Sequence, residues 1–164
     1  MIQKKVSIIC SLFKGKDYID HYLHNIVTQK FFEEYELIII DANSPDGEFE
    51  IISKYLKDFE NIIYKRLDYD PGIYACWNIA ISLANGIYIN TGNVDDIKKS
   101  DSLSILSAHL DKNPDIDLVY SDSYISNSYC RTFDDGVFHS EKHFNFPEFS
   151  FSNLLNCNPP HNSP

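Results

Sequence analysis

Two adjacent carboxylates, Asp95 and Asp96, are the residues of this 164-residue chain best suited to do chemistry. Side by side in a loop, they repel one another unless a cation lies close. Hard divalent ions such as Mg2+ or Mn2+ take oxygen ligands, commonly one or two carboxylates completed by substrate phosphates. An ion held there would take up the charge that develops on a departing diphosphate. An acidic pair is also ordinary on a solvated loop, so it gains meaning only from its surroundings. Asp41 is a second candidate, ending the apolar run Leu37-Ile38-Ile39-Ile40. Its carboxylate can cap the following turn through Asn43 and Ser44. Alternatively it can accept a hydrogen bond from a nucleobase imide N–H, which would suit uracil or thymine.

The elements that must position these residues read as alternating strands and helices. Val6–Cys10, Glu36–Asp41, Asn61–Tyr64, Ile87–Asn90 and Asp117–Tyr120 read as five strands. The first two are continuous apolar runs, as expected of strands buried on both faces. Helices are expected from Asp17 to about Gln29, from about Glu48 to Lys57, and from about Ser100 to Leu110. Another should run from Asp70, as N-cap, and Pro71, in the first turn, to about Ala84. Strand and helix in alternation predict an α/β domain, a mostly parallel sheet with helices on both faces. Ligands then gather at the carboxyl ends of the strands. Beyond Asp122 the pattern degrades: Tyr129–Phe138 reads as a hairpin or excursion loop, and Phe149–Leu155 as one short helix.

Composition excludes several classes. A formal net charge of -10 with no Lys/Arg cluster argues against nucleic acid as a partner. No GxGxxG, GxxxxGK[ST] or GxSxG stretch occurs, which removes the common dinucleotide, P-loop and hydrolase signatures. Four cysteines, Cys10, Cys76, Cys130 and Cys157, form no CxxC pair and read as small structural residues. No apolar run is long enough to cross a bilayer. The N-terminus leads directly into a strand, so a cytoplasmic protein without a signal peptide is expected.

Taken in order, several stretches resemble family 2 of the inverting glycosyltransferases. They are Val6-Ser7-Ile8-Ile9-Cys10-Ser11, Glu36-Leu37-Ile38-Ile39-Ile40-Asp41-Ala42-Asn43-Ser44, Asp70-Pro71-Gly72-Ile73-Tyr74 with Asn78, and Gly86-Ile87-Tyr88-Ile89-Asn90 leading to Asp95-Asp96. The stretch from Asn113 to Asp122 also fits, so the likeness spans roughly Lys5 to Asp122. It implies a GT-A (Rossmann-like) fold over residues 1–122, binding a nucleoside diphosphate sugar donor. Residues 123–164 would begin the acceptor-side region. By this resemblance Asp41 contacts the base, Ser11 and Phe13 line the base and ribose pocket, and Asn93-Val94-Asp95-Asp96 holds the ribose and the metal-diphosphate. Asp95 or Asp96 is the metal ligand, with Mg2+ or Mn2+ as the cofactor. The acceptor would be a carbohydrate or lipid-linked molecule, which would place the protein at the inner face of the membrane.

This chain departs from the family at four places. Asn93 stands at the first acidic position of the DxD motif, Trp77 stands where an Arg often precedes Asn78, Cys10-Ser11-Leu12-Phe13 replaces the usual end of the first strand, and Asp41-Ala42-Asn43-Ser44 stands where the family often has Asp-Asp-Gly-Ser. The family's catalytic base lies well beyond the acidic motif, and no residue here is assigned to it; Glu141, Glu148 and His161 read as surface groups. A nucleotidyltransferase on a similar sheet and a non-catalytic sugar-nucleotide-binding module are the alternatives.

Overall fold

The computed structural model describes residues 3–126, 130, 132–145, 150 and 152. Strands β1 (Lys4–Leu12), β2 (Tyr35–Asp41), β3 (Ile62–Arg66) and β4 (Gly86–Thr91) form one parallel sheet in the order β3-β2-β1-β4. The two central strands are the ones whose sequences are apolar without alternation, because both their faces are covered. Val6, Ile8, Cys10 and Leu12 of β1, with Tyr35, Leu37 and Ile39 of β2, point to one core. That core is closed by α1 (Ile19–Val27), α2 (Phe49–Asp58) and α4 (Ser102–Lys112) through Tyr22, Leu23, Ile26, Ile52 and Leu103. Ile9, Ile38 and Ile40 point to the other face, against Cys76 and Ala80 of α3 (Ile73–Leu83). Helices on both faces of a parallel sheet are the arrangement read from the sequence. Cys10, Cys76 and Cys130 are buried, while Cys157 lies outside the described residues.

Two helix starts differ from expectation. Asp70 does not cap α3; its Oδ1 accepts from the Gly72 N–H (2.8 Å), closing a small turn ahead of the helix. Gly72 has φ 84°, a left-handed value that breaks the helical path, so α3 begins only at Ile73. Likewise α1 begins at Ile19 rather than behind Asp17. The backbone N–H groups of Tyr18 and Ile19 both donate to the Gly15 carbonyl.

The expected fifth strand is a correction. Residues 117–120 have no regular structure, and Leu118 is 70% exposed. A strand persists only with a ladder partner, and the chain finds one later. β5 (Ser123–Ser126) pairs antiparallel with β6 (Ser140–Phe144) in a separate two-stranded sheet. Tyr124 stacks on His143 there, ring centroids 4.3 Å apart. Between them lies a short helix, α5 (Phe133–Phe138), whose start is capped by Thr132 accepting from the Asp135 N–H. This helix replaces the hairpin or loop expected at Tyr129–Phe138. The helix expected at Phe149–Leu155 lies outside the described residues, apart from positions 150 and 152.

Candidate functional site

The strand order fixes where a ligand can sit. Chain direction runs from β1 outward through β2 to β3, then returns to place β4 on the other side of β1. The crevice at the carboxyl ends of β1 and β4 is therefore the point where the winding reverses. Register sets its walls: Leu12 of β1 pairs with Asp41, and Ile9 of β1 pairs with Thr91. The end of β1 thus lies between the Asp41 turn and the acidic loop, one strand spacing of about 4.8 Å from each neighbouring strand.

The acidic loop leaves β4 through Gly92, whose N–H donates to the Ile9 carbonyl (2.9 Å). A Cβ on Gly92 would stand 2.3 Å from Tyr22 Oη, so only glycine lets the loop pass over that buried ring. Asn93 then folds the loop on itself. Its carbonyl accepts from the Asp96 N–H (3.2 Å), and its Nδ2 donates to Asp96 Oδ2 (3.0 Å). Val94 packs inward beside Leu12 and Gly15, which turns Asp95 and Asp96 to the exposed side. Partial burial of its carboxyl group and the neighbouring charge of Asp95 push the Asp96 pKa up, opposed by Lys98 and by the Asn93 amide. Burial lowers the Lys98 ammonium, and Asp96 opposes that shift.

At the carboxyl end of β1 stand Ser11 and, just beyond the strand, Phe13. Ser11 is half-buried; burial raises the Cys76 thiol pKa, and the Ser11 hydroxyl opposes that shift. Phe13 is 44% exposed, with the Lys14 ammonium 5.3 Å from its ring centroid. The segment after β1 is held from behind: Ser44 Oγ accepts from the Lys14 N–H (2.8 Å), and Glu48 Oε1 accepts from the Gly15 N–H (2.8 Å). Ser44 Oγ also donates to Glu48 Oε1 (2.6 Å), which couples the turn after β2 to the turn after β1.

Asp41 is wholly buried and already engaged. Oδ1 accepts from the Ser44 N–H (2.7 Å), while Oδ2 accepts from Tyr64 Oη (2.5 Å) and Arg66 Nη1 (2.7 Å). The turn-capping role is therefore present in the fold. A base could reach Oδ2 only by displacing Tyr64 or the half-exposed Arg66. Burial, then the bond to Asp41, pushes the Tyr64 hydroxyl up to about 12. Tyr64 and Arg66 were not singled out from sequence. The signal for Arg66 is its register, since it is the residue paired with Asp41 across β2 and β3.

Ser11 and Phe13 thus lie at the carboxyl end of β1, Asn93, Asp95 and Asp96 follow the carboxyl end of the neighbouring β4, and Asp41 ends β2 on the other side of β1. Among the described residues no group of three or more His, Cys, Asp or Glu side chains is arranged to hold a metal ion by itself. Two solvent-facing carboxylates beside the Asn93 amide nonetheless fit a hexacoordinate ion that takes its remaining oxygens from water and phosphates. Trp77, at the expected Arg position, packs on the α3 core with Tyr74 edge-on to it, ring centroids 5.7 Å apart. Glu141 is exposed on β6, while Glu148 and His161 lie outside the described residues.

The sequence profile of Glycosyl transferase family 2 matches residues 7–162. The chain belongs to this family. It is 34% identical over 101 residues to the poly(ribitol-phosphate) beta-glucosyltransferase of Bacillus spizizenii, covering 60% of this chain and 16% of that protein. The crystal structure of S. aureus TarS 1-349 in complex with UDP-GlcNAc superposes with a TM-score of 0.63 at 25% identity, covering 67% of this chain and 32% of that one. A mannosyltransferase from Pyrobaculum calidifontis in complex with GDP-Man and Mn2+ shares the fold, with a TM-score of 0.62 at 17% identity over 77% and 37% of the two chains. The family 2 chain therefore spans between about a sixth and just over a third of the length of these proteins. Membership of family 2 and a Rossmann-like GT-A sheet are thus what the fold and the comparisons show together.

Proposed function

We propose that this chain binds a UDP-linked sugar in the crevice between β1 and β4 and serves metal-dependent, inverting transfer to a carbohydrate or lipid-linked acceptor. The observation that carries the reading is the acidic loop itself. Asp95 and Asp96 are exposed in the loop after β4, at the winding-reversal point beside the end of β1. Support for a uridine donor comes from the UDP-GlcNAc held by TarS, and support for a metal from the Mn2+ held by the mannosyltransferase.

In this reading Asp95 and Asp96 hold Mg2+ or Mn2+, with the Asn93 carbonyl oxygen or amide beside them. An ion held there would supply positive charge beside a leaving diphosphate. Phe13 and Ser11 line the ribose and base. Asp41 recognises the base imide after the Arg66 arm swings off its carboxylate. Inversion requires a base on the face of the sugar opposite the leaving group, and no residue of this chain is assigned to it. Residues 1–122 form the donor-binding core, and residues 123–164 begin the acceptor side. Among the described residues no helix is long and apolar enough to cross a membrane; we place the protein in the cytoplasm, meeting lipid-linked acceptors at the inner membrane face.

Calorimetric titration with UDP and with GDP, each with and without Mn2+, tests the reading. UDP binding strengthened by Mn2+ and exceeding that of GDP is expected. Heat-silent titrations with both nucleotides would overturn it. Donor binding without donor turnover would reassign the chain as a binding module.

A further inference from the structure

Asn25 lies on α1, far in sequence from the acidic loop, and is 8% exposed. Its side-chain amide grips both backbone polar groups of Lys98. Nδ2 donates to the Lys98 carbonyl (2.8 Å), and Oδ1 accepts from the Lys98 N–H (2.9 Å). An amide paired at both ends with the N–H and carbonyl of one residue fixes position and orientation together, as a strand partner would. Lys98 stands two residues after Asp96. From the loop's other side the Lys98 ammonium donates back to the Thr91 carbonyl (3.3 Å), at the end of β4. The Lys30 N–H donates to the Ser100 carbonyl (2.8 Å), fastening the segment just beyond. The loop from Gly92 to Lys98 is therefore tied at its start to β1 and at its end to α1, with Asp95 and Asp96 between the two ties.

We infer that Asn25 is a positioning residue for the metal-holding carboxylates, acting through the Lys98 backbone. The role rests on the reading that Asp95 and Asp96 hold a divalent ion. A loop carrying two like charges spreads unless its ends are fixed, and a hard octahedral ion tolerates little misplacement of its ligands. Asn25 touches neither the donor nor the ion. Its loss leaves the Lys98 N–H without its buried partner and the carbonyl with only the long bond from Gln29 Nε2 (3.5 Å), so the loop seeks water and the carboxylates lose their common orientation.

Asn25→Ala and Asn25→Asp, compared with the parent and with Asp96→Ala, test the inference. Asp at this position keeps the acceptor for the Lys98 N–H but loses the donor to the carbonyl, and it serves if the alanine variant does not fold. UDP affinity in Mn2+ is expected to fall about 10–100-fold in Asn25→Ala, the range seen when an outer partner of a metal ligand is removed. UDP affinity without metal should stay at the parent value, which a general loss of structure would not allow. Amide hydrogen exchange should quicken at residues 95–98 and stay slow in β1 and β2. Parent-like Mn2+-dependent affinity with unchanged exchange in the loop would overturn the inference. If the parent itself shows no Mn2+-dependent binding while exchange in the loop still quickens in the variant, the proposed function fails and the clamp alone stands.

Discussion

Arg66 and Asp41 form an ion pair across neighbouring strand ends, guanidinium to carboxylate at 2.7 Å, with the Asp side chain fully buried and the Arg side chain 43% exposed. The pair is cross-strand in register, so β2 and β3 place it without help from a loop. Removing the two partners should have unequal effects. Arg66→Met leaves a buried carboxylate supported only by Ser44 and Tyr64, so it should give the larger loss of stability. Asp41→Asn leaves an Arg that can reach water, so a smaller loss of about 1–3 kcal/mol is expected. Urea denaturation of both variants checks the order, and a larger loss in Asp41→Asn would contradict it.

Gly92 carries the loop over Tyr22, and an added methyl would overlap its hydroxyl. Gly92→Ala should lose about 1–3 kcal/mol, the usual effect of overpacking. Removing the hydroxyl in Tyr22→Phe should return part of that loss when the two changes are combined. A double-mutant cycle from thermal melts measures the coupling, and strict additivity would show that the overlap is relieved elsewhere.

Asp111 offers a pH test independent of ligand. It accepts from the Lys5 ammonium and from Tyr88 Oη (2.9 Å). The bond from Lys5, then that from Tyr88, lowers its pKa below the ordinary carboxylate value. A carboxyl whose folded pKa is depressed stabilises the fold above its unfolded value and loses that contribution as pH falls through the folded one. The melting-temperature gap between parent and Asp111→Asn should therefore be constant near neutrality and shrink only in acid, below the ordinary carboxylate range. A gap that narrowed on the alkaline side instead would contradict the assignment.

The central strands were legible because burial on both faces demands uninterrupted apolar runs, and a stretch such as Leu37-Ile38-Ile39-Ile40 leaves little choice. The acidic loop was legible because Asn93, Asp95 and Asp96 follow a strand end directly. The sheet's outer limit was not: Asp117–Tyr120 has strand composition, but β-structure depends on a partner that composition does not name. The start of α3 was misplaced because Asp70-Pro71-Gly72 satisfies a helix-cap pattern and a turn pattern equally, and the φ of Gly72 decides between them. Asn25, Tyr64 and Arg66 carried no local signal, since each acts on a residue more than twenty positions away.

The central claim is that Asp95 and Asp96 grip a divalent ion at the carboxyl ends of β1 and β4. A crystal soaked with UDP and Mn2+, with diffraction recorded for anomalous scattering by manganese, tests it most directly. The account predicts one anomalous peak in direct coordination distance of an Asp95 or Asp96 carboxylate oxygen and shared with the diphosphate. UDP bound in the crevice with no manganese beside either aspartate, or manganese held elsewhere on the chain, would contradict it.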